Sequence, residues 1–304
     1  MIAVAGIGAA GLAWSLAEAH RYTLRRAAAA VLPEGQPPLR VLHLSDLHLT
    51  PRHTGRVAWV RSLDALAPDL VVVTGDFLAH QEAVPTAIDA LGPLLDRPGV
   101  FVLGSNDYWE PTFVKAWKYL QKPSELESHR SPLPWGDLVK GLSQAGWHDL
   151  SNARTTLSVG GRHLDVRGVD DPHINRDRYG DVAGPFAADA DLALGVTHAP
   201  YRRILDGMAG DGADLVLAGH THGGQLCLPG IGAIVTNCDL PPAQAKGLSR
   251  HARPWDGVDD PGLGGPDGRG AVLHVSAGLG TSPYAPVRFA CPPEATLLTL
   301  TAVR

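Results

Sequence analysis

Short apolar runs alternate with longer amphipathic stretches from residue 39 onward. Residues 39–45, 69–74 and 99–103 are aliphatic runs of the kind found in strands buried on both faces. Between them, residues 55–66 and 82–95 carry apolar positions at helical spacing. Strand, helix, strand, helix, strand predicts a βαβαβ unit with parallel strands. The second half alternates less regularly. It predicts a helix over 136–145, strands near 154–159 and 162–168, a strand over 191–197 and a helix from Tyr201. A strand over 213–218 and closing strands near 271–276 and 295–301 follow. Two mixed sheets flanked by helices accommodate this order, and no solenoid-type repeat is present.

The aliphatic runs stop in a recurring way. One ends in Ser45-Asp46-Leu47-His48, a second in Gly75-Asp76 and a third in Gly104-Ser105-Asn106-Asp107. A fourth ends in His198-Ala199-Pro200, and the run Val216-Leu217-Ala218 ends in Gly219-His220-Thr221-His222-Gly223-Gly224. In extended chain, side chains two apart share a side, so Asp46 with His48 and His220 with His222 each face one place. Open α/β sheets collect ligands just past the carboxyl ends of their strands. Five such endings, all of metal-ligand type, point to a common site. Buried Asp and His side chains are costly without partners, which argues against scattered core polar groups.

Asp46-x-His48, Gly75-Asp76, Gly104-x-Asn106, His198 and Gly219-His220-x-His222, with a late Ser276-Ala277-Gly278-Leu279-Gly280 segment, resemble the calcineurin-like metallophosphoesterase family in order and spacing. The resemblance spans residues 40–301 and is nearest to a bacterial branch that often carries an apolar N-terminal segment. It implies an α/β fold built as a four-layer α/β/β/α sandwich of two mixed β-sheets. It also implies two divalent cations, with Asp76 as the carboxylate shared between them. Asp46, His48 and His222 would complete one metal site; Asn106, His198 and His220 would complete the other. Two ions about 3.5–4 Å apart neutralise phosphate oxygens and activate a water for in-line attack. A donor set of imidazole, carboxylate and carboxamide without thiolate suits Mn, Fe or Zn.

One departure touches the chemistry. Where the family often places a histidine after the asparagine, this chain has Asp107. Asp107 is therefore expected either to act as the acid, which requires a raised pKa, or to orient Asn106 or His198 from behind. The catalytic set expected on this basis is Asn106, Asp107 and His198. Substrates with good leaving groups, such as pyrophosphates or activated diesters, fit it best. A lipid-linked or nucleotide-sugar-lipid substrate, similar to that of UDP-2,3-diacylglucosamine hydrolases, would match an apolar N-terminus. The alternative is a metal-binding scaffold or regulator with little turnover. A zinc peptidase is disfavoured because HExxH is absent.

Charge and cysteine content narrow the partners. The net charge of −5 over 304 residues is not that of a non-specific nucleic-acid binder. A small phosphorylated substrate remains compatible, since bound metal reverses the local field. Cys227, Cys238 and Cys291 are odd in number and lack paired spacing, so free thiols are expected.

Residues 1–17 carry no charge and are followed by Glu18, His20, Arg21, Arg25 and Arg26. Residues 1–32 are expected to form an apolar helix, 33–38 a Pro-rich linker and 39–304 the catalytic domain. The helix can be a membrane anchor, a helix packed on the domain, or a signal segment. If it spans, Arg21, Arg25 and Arg26 hold the domain on the cytoplasmic side; otherwise a soluble cytoplasmic protein is expected. Residues 108–135, with Tyr108, Trp109, Trp117, Tyr119 and Trp135, are expected to form a cap or a surface insertion. His80 and Tyr108 are candidates for substrate contact. His43 is expected to be a hydrogen-bonded core histidine, Asp170-Asp171-Pro172-His173 a turn, and 250–270 a flexible excursion rich in Gly and Pro.

Overall fold

The computed structural model describes residues 2–112, 130–252 and 270–303. Numbered in chain order, its helices are α1 (Ile2–Glu18), α2 (Thr54–Ser62), α3 (Val84–Leu91), α4 (Ser105–Tyr108), α5 (Trp135–Gln144) and α6 (Arg202–Asp211). One six-stranded sheet runs β1 (Thr23–Leu32), β14 (Glu294–Ala302), β2 (Leu39–Leu44), β3 (Leu70–Thr74), β4 (Gly99–Val102), β5 (His148–Asp149). The other runs β12 (Gly247–His251), β13 (Ala271–Val275), β9 (Leu215–Ala218), β8 (Leu192–Val196), β7 (Arg162–Gly168), β6 (Ala153–Val159). A two-stranded hairpin, β10 (Cys227–Leu228) with β11 (Gly232–Ala233), stands apart.

Both sheets are mixed. Strands β2 to β5 are parallel, while β14 is antiparallel to β2 and parallel to β1. Strands β7, β8, β9 and β13 are parallel, with β6 and β12 antiparallel at the two edges. The parallel strands are short and aliphatic because both faces are covered: every residue of β3, β4, β8 and β9 is buried.

Three cores separate four layers. Val41, Val72 and Val100 of the first sheet meet Leu164, Leu194 and Leu217 of the second. The outer face of the first sheet (Leu42, Val71, Val73, Phe101) is covered by Val60, Ala87, Leu91, Leu138 and Leu142 from α2, α3 and α5. The outer face of the second (Val216, Ala218, Leu273, Val275) is covered by Ile204, Leu205, Met208 and Ala209 of α6. Truncating one inter-sheet side chain such as Leu194 to alanine would cost about 2–5 kcal/mol. The α/β/β/α sandwich expected from the sequence is the fold.

The N-terminal region departs from expectation. Helix α1 ends at Glu18, and residues 23–32 form an edge strand paired with β14 over its whole length instead of continuing the helix. Residues 33–38 consequently join two strands of one sheet rather than two domains. They are tied to the second sheet by Gln36 Nε2 to Asp191 and by the Arg162 guanidinium to the Pro37 carbonyl. Among the described residues, no helix is long and apolar enough to cross a membrane. Arg250 and His251, expected in a flexible excursion, lie in β12. The expectations that fall on residues 113–129, including Trp117 and Tyr119, and on 253–269 lie outside the described residues.

Candidate metal centre

Five strands deliver their carboxyl ends to one place, β2, β3 and β4 from the first sheet and β8 and β9 from the second. The backbone beyond them is bound strand to strand: Asp46 N–H donates to the Gly75 carbonyl at 3.0 Å, His48 N–H to Asp76 at 2.9 Å, and Gly219 N–H to His198 at 2.8 Å. Sharp left-handed turns then re-aim the side chains. Asp46, His48, Asp76, His220 and His222 have φ of 51°, 42°, 55°, 68° and 50°. This backbone region costs a non-glycine residue about 1–3 kcal/mol, and such residues cluster where function requires them. Two glycines make room. A Cβ on Gly104 would overlap Asp76 Oδ1 and lie 2.7 Å from His198 Cε1, and one on Gly219 would overlap Ser45 Oγ.

Two groups of donors converge, Asp46 with His48 and His222, and Asp46 with Asp76 and His198. His48 Nε2 and His222 Nε2 are 3.2 Å apart. His222 Nε2 lies 3.6 Å from Asp46 Oδ1, His48 Nε2 lies 3.5 Å from Asp76 Oδ2, and His198 Nε2 lies 3.6 Å from the same oxygen. Asn106 donates to Asp76 twice, from its backbone N–H to Oδ1 at 2.8 Å and from Nδ2 to Oδ2 at 2.7 Å. The side-chain carbonyl of Asn106 is thereby left as its remaining donor to a cation.

These residues fit cations. The Nδ1–H of His198 is positioned to donate to the Thr74 carbonyl at 2.6 Å, which leaves Nε2 as the nitrogen open to a cation. That Nε2 is buried and has no hydrogen-bond partner. His222 Nδ1 lies 3.2 Å from both the Gly280 carbonyl and Arg288 Nη2, which hold the ring with its Nε2 turned toward His48. Burial lowers the His48 pKa to about 4, against a raising effect of Asp76. Burial, then His48 and Arg288, hold His222 well below 6.5. Both imidazoles are therefore in the neutral, metal-binding form. Burial raises the Asp46 carboxyl to about 6, with Asp76 adding and His198 opposing. For His198, burial works downward, but Asp76, Asp171 and Asp46 lift it to about 10, so these carboxylates draw a proton onto its Nε2, the position a cation would take instead. Buried carboxylates that draw a proton onto the imidazole beside them call for positive charge at their centre.

Asp107 is placed where neither expected role applies. Its Oδ2 accepts the N–H of Asp76 at 2.8 Å and of Gly104 at 2.9 Å, and its Oδ1 accepts Phe77 at 2.8 Å and Leu78 at 3.1 Å. Burial, then Asp76, push its pKa up to about 8, while the amides pull the other way. Four backbone N–H groups donate to its two oxygens, an arrangement that suits a carboxylate and outweighs that rise. Asp107 is fully buried and clamps the β3 and β4 loops together; it does not orient Asn106 or His198 by its side chain, nor does it face outward as an acid.

Of the remaining expected residues, His220 turns Nε2 to the Asn237 carbonyl at 3.1 Å, so only Nδ1 is available to an ion, and it falls in neither three-donor group. Tyr108 is withdrawn from the expected substrate contact. Its hydroxyl donates to Asp170 at 2.8 Å and the Arg176 guanidinium sits 3.9 Å from its ring centre. His80 accepts the Glu82 N–H in a local turn. His43 is a core histidine bonded to His274 at 2.8 Å and Thr74 at 3.0 Å. Residues 170–173 form the expected turn, with Asp171 capping it through the His173 N–H, and the turn also borders the site: the His173 and His220 rings are 4.3 Å apart.

Arg288 was not foreseen. Fully buried, it donates Nη2 to the carbonyls of Ala277 (2.8 Å), Gly278 (3.1 Å) and Gly280 (2.7 Å) and approaches His222 Nδ1 at 3.2 Å. It thus fixes the late glycine segment against His222. Its sequence surroundings, Ala285-Pro286-Val287-Arg288-Phe289, have no periodicity that would have marked it.

Comparison with known proteins agrees with this geometry. Residues 39–224 match the profile described as calcineurin-like phosphoesterase. "Uncharacterized protein YpbG" of Bacillus subtilis (strain 168) is 28% identical over 201 residues, 64% of this chain and 64% of that protein. The "Transmembrane protein with metallophosphoesterase domain" of Bos taurus is 27% identical over 226 residues, 68% of this chain but 45% of that protein. "Phosphodiesterase YaeI" of Escherichia coli (strain K12) is 26% identical over 221 residues, 69% of this chain and 70% of that protein. The chain thus spans less than two thirds of the length of the first two relatives. With the profile covering residues 39–224 of 304, this chain belongs to the calcineurin-like phosphoesterase family.

Proposed function

We propose that this chain is a hydrolase using two divalent ions, Mn, Fe or Zn, to cleave a phosphodiester, phosphomonoester or pyrophosphate bond. Asp46, His48 and His222 would hold one ion, Asn106, His198 and the Nδ1 of His220 the other, with Asp76 shared. The observation that carries this is the orphaned Nε2 of His198 beside Asp76, next to the opposed Nε2 atoms of His48 and His222. When bound, such ions neutralise phosphate oxygens and lower the pKa of a water.

The chain's own contribution is preorganisation. The Thr74 carbonyl holds the ring of His198, Gly280 and Arg288 that of His222, and Asp107 locks the loops bearing Asp76 and Gly104. Because Asp107 is occupied by backbone amides, protonation of a poor leaving group is not available from it. That favours pyrophosphates and activated diesters, in keeping with the name phosphodiesterase borne by the Escherichia coli relative. A small phosphorylated substrate is expected, with a lipid-linked one attractive because of the uncharged α1. In this proposal α1 associates with the cytoplasmic membrane surface.

The test is purified chain with Mn²⁺ against bis-p-nitrophenyl phosphate and p-nitrophenyl phosphate, beside Asn106→Ala. Turnover that depends on metal and on Asn106 supports the proposal. Metal uptake without turnover on either ester or on a pyrophosphate would make the chain a metal-binding scaffold.

A further inference from the structure

The hairpin β10–β11 begins three residues after Gly224, at the back of the donor-bearing loop, and its apolar side chains face solvent. Leu226 is 47% exposed, Leu228 46%, Ile234 48% and the tip residue Ile231 78%. Cys227, between the two leucines, is buried. Period-two alternation puts Leu226 and Leu228 on the same outward face. Cys227 pairs with Ala233, and carrying the register back one residue sets Ile234 opposite Leu226, on that same face. A soluble surface has no reason to raise four branched aliphatic residues on a thin two-stranded projection.

A second apolar surface is bonded to the first. Leu226 is bridged to Phe289, and Gln225 Nε2 donates to the carbonyls of Ala285 and Val287. The same segment reaches α1, since Arg288 N–H donates to the Ser15 carbonyl at 3.0 Å and Cys291 N–H to Glu18 Oε1 at 2.7 Å. On α1, Leu12 (56% exposed) and Leu16 (41%) share one flank of the helix, and Trp14 (52%) lies on the other, its Nε1 donating to Glu18. Cations follow at once: the Arg21 guanidinium lies 5.5 Å from the Trp14 ring centre, and Arg26 is exposed on β1 beside Arg25, which pairs with Glu294 at 3.2 Å.

We propose that the β10–β11 hairpin and the exposed face of α1 dock this chain on an anionic lipid bilayer, presenting the donor cluster to phosphate esters at headgroup level. This rests on the phosphoesterase function above and names where its substrate is met. A bilayer matches the chemistry better than a protein partner. It offers an acyl layer to aliphatic tips with no shape requirement, an interface to an indole, and negative headgroups to Arg21 and Arg26. Arg288 belongs to the linking segment and also fixes His222, so the docking elements and the donor cluster share one framework.

The experiment is flotation of the full chain with vesicles of phosphatidylcholine, with and without phosphatidylglycerol. The wild-type chain is expected to float, more so with phosphatidylglycerol and less at high salt. Ile231→Asp, and Leu228→Asp with Ile231→Asp, are expected to lower the bound fraction about tenfold or more, and Arg21→Glu with Arg26→Glu to remove the phosphatidylglycerol preference. A thermal melt of each variant identifies any that fails to fold, and Ile231, at the exposed tip, is the safest change. Floating of Ile231→Asp and the double variant like wild type would overturn the proposal. So would failure of the wild type to float, or a solution dimer broken by these substitutions in a chain that ignores vesicles. Flotation needs no turnover, so its failure leaves the hydrolase function standing, and lack of hydrolysis leaves docking readable.

Discussion

Asp107 Oδ2 accepts the backbone N–H of Asp76 at 2.8 Å, so one buried carboxylate fixes the turn that aims another. Three further amides, from Phe77, Leu78 and Gly104, share the same clamp. Asp107→Asn replaces an all-acceptor group with one that must present an amide to N–H donors. The expected loss of stability is about 3 kcal/mol, accompanied by weaker metal binding. Urea denaturation and a Mn²⁺ titration check this. A variant as stable as wild type would show that the clamp is dispensable.

Asp76 is the carboxylate within reach of both His48 and His198. On the two-ion proposal, Asp76→Ala is expected to reduce bound metal to below one ion per chain, while His222→Ala removes one and spares the other. Turnover of Asp76→Ala should fall by more than the roughly 10–100-fold that outer partners cost. Elemental analysis of the dialysed proteins gives the stoichiometry.

Arg288→Met leaves the His222 imidazole without its guanidinium neighbour and three carbonyls without their donor. Metal affinity is expected to drop about 10–100-fold, and Arg288→Lys should recover little, because one ammonium cannot span the same fork. Isothermal titration of both variants measures this. Equal affinity for wild type and Met variant would remove Arg288 from the support of the site.

Removing metal should destabilise the fold. A ligand held at a hundred times its dissociation constant adds about 2.7 kcal/mol to the native state, so an excess of EDTA is expected to lower the melting temperature in wild type and to do nothing in Asp76→Ala. A melt unaffected by chelator in the wild-type chain contradicts cation binding by the native state.

Burial holds the pKa of His43 well below 6.5 and that of His274 at about 4. Both are neutral in the folded chain, whereas the unfolded chain begins to take up protons as pH drops below about 6.5. Stability is therefore intact above that pH and declines as pH falls below about 6.5, for His274 down to about 4, by up to about 1.4 kcal/mol per pH unit for each imidazole. In EDTA, to remove metal linkage, His274→Gln should show a shallower acid limb than wild type in urea midpoints at stepped pH. An identical limb would assign the acid sensitivity elsewhere.

Much of this was legible in the chain because strands buried on both faces are necessarily aliphatic, and each one stops abruptly at a donor. Asp46, His48, Asp76, His198 and His222 could be read from those stops alone. The strand at residues 23–32 could not be: Thr23-Leu24-Arg25-Arg26 and the alanines after it lack strand patterning, and their conformation comes from β14, some 270 positions away in sequence. Arg288 was hidden for a related reason, since its partners are backbone carbonyls that carry no side-chain signature. Tyr108 looked available beside Asp107, yet an acid 62 positions further along the chain, Asp170, claims its hydroxyl.

The parallel partnership of β1 with β14 has a practical consequence. Deleting the apolar start of the chain up to residue 32, the obvious route to a shorter protein, would remove an integral rung of the larger sheet. Nine residues of β14 would be left with one hydrogen-bonding side open. An unprotected rim of that length invites strand-by-strand stacking between molecules, so precipitation of such a shortened protein would say nothing about lipid affinity.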